Sequence, residues 1–367
     1  MKNPSFRWFA VSFLGLATSA CAAAQSWEVL ASGIDTNLRA VSAAEDAHGD
    51  AVVWASGSHG VVIASNDQGK HWKRLTVAGG EGLDFRGVAA FSDSTAYIMS
   101  SGEGTASRIY KTMDGGTTWK LQYSDARKQF FLDAIECLSA VECYALGDPV
   151  DGRFVLLRTE DGEHWERLSA AGLQALPQEG AFAASNSCLS VDHNAGIYFV
   201  TGGTAARLFH SSDEGKTWTV TNIPIAKGNV SSGAFSVAVD GATIVVVGGD
   251  YRDPKRSAEN AAYSSDGGMT WNRPAGPPGG FRSAVGSVDG RRFLTVGTSG
   301  SEFSGDTGAH WKTAGAINLN AVRVLDVFSI WGVGPNGTVA KFKNPREYEI
   351  RIRTDTESRA ETESVAW

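Results

Sequence analysis

Six aspartates stand four or five residues ahead of a tryptophan: Asp67 and Trp72, Asp114 and Trp119, Asp161 and Trp165, Asp213 and Trp218, Asp266 and Trp271, Asp306 and Trp311. Singly, such carboxylates suit proton transfer or calcium ligation. Their repetition points instead to a folding element. The shared pattern is Ser/Thr-x-Asp-x-Gly-x-Thr/His-Trp, one residue shorter around Asp161. In it the carboxylate accepts turn N–H bonds, the glycine takes a positive φ and the indole packs between sheets. His71, His164 and His310 fill the Thr-like place and read as turn residues, not as bases or ligands. Gly102-Glu103-Gly104-Thr105-Ala106-Ser107 lacks the third glycine of a dinucleotide loop, and the sequence holds no Gly-x-Ser-x-Gly elbow, Walker loop, HExxH pair or Cys/His metal pattern. No cofactor and no metal are expected.

The tryptophans recur at intervals of 40 to 53 residues, the length of a four-stranded propeller blade. Each unit repeats one order: an apolar strand such as Leu38-Arg39-Ala40-Val41, a second such as Ala51-Val52-Val53-Trp54, a third such as Gly60-Val61-Val62-Ile63, then the Asp turn and a fourth strand starting at its Trp. Later first strands are predicted near Phe85, Leu132, Phe182, Phe235 and Phe281. A seventh unit combines residues 319–322, 327–331 and 338–342 with Ser26-Trp27-Glu28-Val29-Leu30 from the other end of the chain. That pairing closes a ring and removes open sheet edges. The prediction is an all-β, seven-bladed β-propeller with four-stranded blades, the last closed by the N-terminal strand. A content of 43 Gly and 11 Trp in 367 residues agrees with turn-rich β-structure.

Residues 1–24 carry Lys2 and Arg7, an apolar stretch and the small residues Ala22-Ala23-Ala24, which reads as a signal peptide cleaved after Ala24. Lipid attachment at Cys21 is the weaker alternative, because Thr18 stands where a lipoprotein signal usually has Leu. The propeller takes residues 25–344, and 345–367 is a mixed-charge run expected to be a disordered tail. A net charge of -7 with 42% hydrophobic and 20% charged residues excludes a disordered body and argues against nucleic acid as partner. After the leader no apolar run is long enough for a transmembrane helix, so a periplasmic or secreted protein is expected. In an oxidising compartment Cys137 and Cys143, around the turn Leu138-Ser139-Ala140-Val141, can face each other for a disulfide; buried free thiols are the alternative, and Cys188 is left over.

In a propeller the starts of the first strands and the loops between second and third strands share one face. Aligned on their first apolar residue, the innermost strands place Arg39, Arg86, Asp133, Ala183, Ser236, Arg282 and Asn320 at one level, so three arginines are expected at the channel mouth. Glu179 should border this rim. The rim loops add Asp148 and Arg153, then Arg207, then Asp250 and Tyr251. Long loops on a rigid rim commonly carry function; arginine suits carboxylate or peptide recognition, while Tyr251 and Phe281 offer apolar anchors. Ion pairing of the arginines with Asp133 or Glu179 is the competing structural reading.

The repeated turn is the Asp-box of BNR-type propellers. Together with Gly147-Asp148-Pro149-Val150-Asp151-Gly152-Arg153, Phe182-Ala183-Ala184-Ser185-Asn186, Gly248-Gly249-Asp250-Tyr251 and Pro277-Pro278-Gly279-Gly280-Phe281-Arg282, it resembles the photosystem II stability/assembly factor family. The resemblance spans residues 25–344. It implies a seven-bladed propeller and, for photosynthetic members, an assembly chaperone whose arginine patch holds a membrane-protein partner; Arg39, Arg86 and Arg282 are the matching positions. Sialidases share the box. They need an arginine triad, a Tyr/Glu nucleophilic pair and an Asp acid, which Tyr251, Glu179 and Asp250 imitate, but Phe85-Arg86 continues as Gly87-Val88 instead of Ile-Pro. The sequence therefore reads as an exported, non-catalytic scaffold binding a polypeptide or membrane-protein partner on its arginine-bearing rim. A sialidase-like glycoside hydrolase, with an extended glycan as ligand, is the alternative.

Overall fold

Strands rich in Val, Ala and Ile, punctuated by glycine turns, pair antiparallel into seven sheets. In this computed structural model residues 26–343 are described, except 47, 170, 193 and 195. The expected leader at 1–24, with Cys21 and Ala24, and the tail at 345–367 lie outside the described residues. Blade 1 consists of Leu38–Glu45, Ala51–Gly57, Val62–Ser65 and Lys73–Leu75, running from the inside outwards. Blades 2 to 6 follow in chain order over residues 85–124, 132–167, 189–222, 229–264 and 284–315. Blade 7 is built from both ends: Ser26–Leu30 pairs antiparallel with Val339–Lys343, outside Ser329–Val333 and Ala321–Asp326. Trp27 locks this closure. Its ring meets Phe342 at 5.1 Å, and its Nε1 donates to Ser301 Oγ of blade 6 at 2.9 Å.

Each blade is pressed from both sides, so its strands are apolar on both faces; in Ala51–Gly57 all but the first residue are buried. Trp54 of blade 1 is fully buried and meets Trp119, the turn tryptophan of blade 2, edge-on at 6.3 Å. The six turns share the bonding of their aspartates, and three of them, at Trp72, Trp218 and Trp311, also bond the indole to the turn glycine. Asp67 Oδ1 accepts from Ser65 Oγ (2.8 Å) and from His71 N (2.9 Å), and Trp72 Nε1 donates to Gly69 O (3.1 Å). Gly69 has φ +81, and a Cβ there would stand 2.7 Å from Leu30 Cδ1, so both conformation and packing exclude a side chain. In the short copy Asp161 Oδ1 accepts from the N–H groups of Glu163 and His164, each at 2.8 Å. Such bonds hold Asp114, Asp213 and Asp266 down at about 2, each chiefly through the hydroxyl of the threonine four residues on.

Three blades depart from the expected pattern. First strands predicted near Phe182 and Phe281 begin instead at Leu189 and Ala284. The sheet of blade 5 has five strands, because Glu179–Gly180 and Gly202–Gly203 extend the inner end of the long Asn229–Asp240 strand. Its outer strand shrinks to a bridge between Tyr263 and Asn272. Cys137 and Cys143 are opposite one another across a blade 3 hairpin and are disulfide-bonded, while Cys188 is a buried thiol. Among the described residues no helix is long and apolar enough to cross a membrane.

Candidate functional site

The site is made by an irregularity that recurs. In blades 1, 2, 3 and 5 the pairing of first and second strands slips by a residue at equivalent places: between Leu38 and Ala40, Phe85 and Gly87, Leu132 and Ala134, and Ala234 and Ser236. A bulge leaves one residue unpaired and re-aims its side chain. The bulged residues are Arg39, Arg86, Asp133 and Phe235, and all four line a bowl of about 1100 Å³ at the channel mouth.

Blade 6 shows where the sequence alignment slips. Arg282 N bonds to Gly248 O of the preceding blade, as Leu38 N bonds to Gly334 O, so Arg282 occupies the Leu38 place and Ser283 the Arg39 place. Phe235 and Ser283 line the bowl; the expected Ser236 and Arg282 do not. Arg282 is 1% exposed, bonded through Nε and Nη2 to Glu302 and through Nη1 to Phe281 O (2.7 Å) and Ser299 Oγ (2.9 Å). The expected arginine triad is therefore a pair. Arg39 and Arg86 share one acid: Arg86 Nε donates to Asp84 Oδ2 at 2.7 Å, and Arg39 Nε stands 3.9 Å from Asp84 Oδ1. Asp84 is thus shared between two cations, and Arg39 has the longer contact. Burial and the nearby Arg86 lower the Arg39 pKa, with Asp84 opposing them.

In blade 4 the chain crosses the channel instead of entering a strand. Arg86 Nη1 donates to Ala183 O at 2.9 Å, Ser185 Oγ to Ser283 O at 2.7 Å, and the Asn186 amide both accepts from Ile135 N (2.8 Å) and donates to Ile135 O (3.0 Å). This segment floors the bowl and separates it from a recess of about 160 Å³ on the far side. Asp133 lies buried beside it with neither carboxylate oxygen hydrogen-bonded; burial first, then Asp148, push its carboxyl well above the usual range, against the pull of Arg86. Asp148 is raised to about 6 by burial, although it accepts from Ala181 N at 3.0 Å.

The remaining expected residues separate. Glu179 is buried and held by Arg207 at both oxygens, by Thr201 Oγ1 (2.6 Å) and by Leu176 N (2.8 Å), which makes the Glu179–Arg207 pair a strut. Arg153 faces a different recess, beside Asp151 and Arg167. Asp250 caps the rim loop, accepting from Arg252 N (2.9 Å) and Asn229 Nδ2 (3.2 Å). Tyr251 is at the bowl, 45% exposed. With Arg282 and Glu179 both closed in ion pairs, the glycosidase inventory is not assembled. Sequence reasoning missed Asp84 and the aromatic wall of Phe182 and Phe235. The level is set by pairing, not by sequence: Leu38 stands opposite Gly57, Leu132 opposite Gly147 and Ala234 opposite Gly248, so Phe235, not Ser236, is level with Arg39.

Comparison of the whole fold finds solved structures with the same architecture. A structure described as YCF48 bound to D1 peptide matches with a TM-score of 0.62 at 13% identity, covering 87% of this chain and 97% of that one. YCF48 from Cyanidioschyzon merolae gives 0.63 at 14%, covering 86% and 98%. The fold is shared with YCF48. U3-55K, with a TM-score of 0.60 at 11% identity over 87% and 98%, has it too, so at these identities the likeness establishes architecture alone. No family model and no curated protein sequence matches the chain.

Proposed function

We propose that the protein is an exported, non-catalytic binding scaffold of the assembly-factor kind, holding a polypeptide segment of a partner in the bowl on its arginine-bearing face. The observation that carries this is the Arg39–Arg86 pair: two guanidinium groups converge on one carboxylate at the floor of a bowl of about 1100 Å³, and Arg39 Nε has no hydrogen-bond partner. Such a pair suits a carboxylate or a peptide carbonyl. The peptide carried by YCF48, which has the same fold, supports a polypeptide as ligand. Export rests on the leader at 1–24 and accords with the Cys137–Cys143 disulfide, a bond favoured outside the cytoplasm.

An array of random dodecapeptides tests the reading. The mature chain should retain a subset rich in Asp and Glu, and Arg39→Glu should weaken that retention at least tenfold while the melting temperature holds. Retention of no peptide, or retention indifferent to Arg39→Glu, refutes it. Amino-terminal sequencing of the protein from the periplasmic fraction should begin at Gln25; a chain found in the cytosol with Met1 intact would remove the exported part of the proposal.

A further inference from the structure

The bowl is not uniform. Its cations come from blades 1 and 2, whereas its opposite wall, from the inner ends of blades 4 to 6, is aromatic. Phe182 and Phe235 stack face to face at 3.7 Å, and Phe281 and Tyr251 meet Phe235 edge-on at 4.8 and 6.2 Å. Phe235 enters through the same bulge that presents Arg39 and Arg86, so one backbone device supplies both kinds of group. Glycines seat the Phe182 ring: a Cβ at Gly202 or Gly233 would come within 2.2 or 2.9 Å of Phe182 Cε2. The wall is therefore preformed. Above it, Leu176 (48% exposed), Val230 (60%) and Tyr251 form an apolar lip. Nine large apolar side chains are exposed among the described residues, and three of them gather here, which marks a patch rather than scatter.

We infer that this wall is an anchor subsite for a bulky apolar or aromatic side chain, so that the bowl reads a two-part determinant: an acidic residue at Arg39 and Arg86, and a Phe, Leu or Trp a few residues away on the same peptide. The inference rests on the peptide-binding reading above. Charge complementarity fixes one end of the ligand, and the exposed lip of Leu176, Val230 and Tyr251 over the half-buried Phe182 ring, itself backed by the buried Phe235 and Phe281, fixes the other; aromatic anchors beside a charged contact are the usual concentration of binding energy in a protein interface. A purely acidic ligand would leave the apolar lip of Leu176, Val230 and Tyr251 against water. A ligand without an acid would leave Arg39 with only its long contact to Asp84, which Arg86 already occupies.

The test uses the mature chain and fluorescein-labelled decapeptides in a Gly/Ser background, with both ends blocked. One set carries Glu and Phe separated by two, four or six residues; the controls carry Glu alone, Phe alone or neither. Fluorescence anisotropy at pH 7 should show at least one Glu/Phe spacing binding tenfold or more tightly than Glu alone. Tyr251→Ala and, separately, Val230→Ser should each reduce that advantage to less than threefold. Val230 is largely exposed, so its replacement guards against a folding defect. Equal binding of Glu/Phe and Glu-only peptides overturns the anchor subsite while peptide capture stands. Binding of none of these peptides overturns both readings.

Discussion

Arg282 and Glu302 face each other inside blade 6 as a closed two-point ion pair, with side chains 1% and 9% exposed. Removing one partner of such a pair strands the other in a low-dielectric interior, whereas replacing both with apolar groups of similar size is often tolerated. Arg282→Ala should therefore cost about 3–5 kcal/mol of stability. The double change Arg282→Met with Glu302→Leu should recover most of the loss. Urea midpoints of the three chains check this; a single variant as stable as the parent would return Arg282 to the binding surface, where the sequence alone had placed it.

Arg39 and Arg86 should part company under the same measurement. Arg86 is bonded to Asp84 and to the Ala183 carbonyl on the crossing segment, so Arg86→Ala should cost about 1–3 kcal/mol. Arg39 makes a long contact to Asp84, and Arg39→Ala should stay within about 0.5 kcal/mol of the parent. Equal destabilisation by the two changes would contradict the geometry of the pair.

Stability should be greatest in mild acid. Asp148 is raised to about 6 from an unfolded value near 3.9, so the folded chain binds its proton more tightly, and the stability linked to it is present below pH 4 and lost as pH rises through 6. Asp133 acts in the same sense. Asp114, Asp213 and Asp266, lowered to about 2, act oppositely: their contribution is present above pH 4 and lost as pH falls through 2. Denaturant midpoints from pH 3 to 8 should peak near the junction of the two ranges, and Asp148→Asn should flatten the decline from about pH 4 to 6. A decline unchanged by Asp148→Asn would assign the slope elsewhere.

Thiol chemistry should be silent in the folded state. Cys188 is buried, and burial pushes its thiol well above the usual range, which suppresses the reactive thiolate. Ellman's reagent should find no thiol in the native mature protein and one per chain in guanidinium. Reducing Cys137–Cys143, which closes a six-residue separation, should cost about 2 kcal/mol. Two further thiols appearing in the untreated denatured protein would show the disulfide to be unformed.

The ring was legible in the sequence because its marks are local. A turn Asp and a packing Trp recur in six of the seven units, and the apolar pattern at Trp27 and Phe342 betrays two halves of one sheet. The bowl was only half legible. Phe281-Arg282 repeats the dipeptide Phe85-Arg86, and matching like with like put the two arginines in one place. Backbone register says otherwise, since a bulge shifts pairing by a residue without leaving any mark in an alternating pattern. Nor does composition reveal that residues 182–187 forgo a strand; Asn186 takes up the backbone groups of Ile135 with its side chain, a long-range substitution that no local propensity encodes.

The clasp of Ser26–Leu30 against Val339–Lys343 brings Ser26 opposite Lys343. Both residues stand where a third strand hands over to a fourth, at the level of the Asp turns and on the face turned away from the bowl. A tether joined at Ser26 or Lys343 therefore leaves the ligand side unobstructed. The same adjacency makes the chain a candidate for circular permutation: a short linker from Lys343 to Ser26 with new ends opened in the exposed 251–259 loop would keep every blade intact and move the attachment point to the rim.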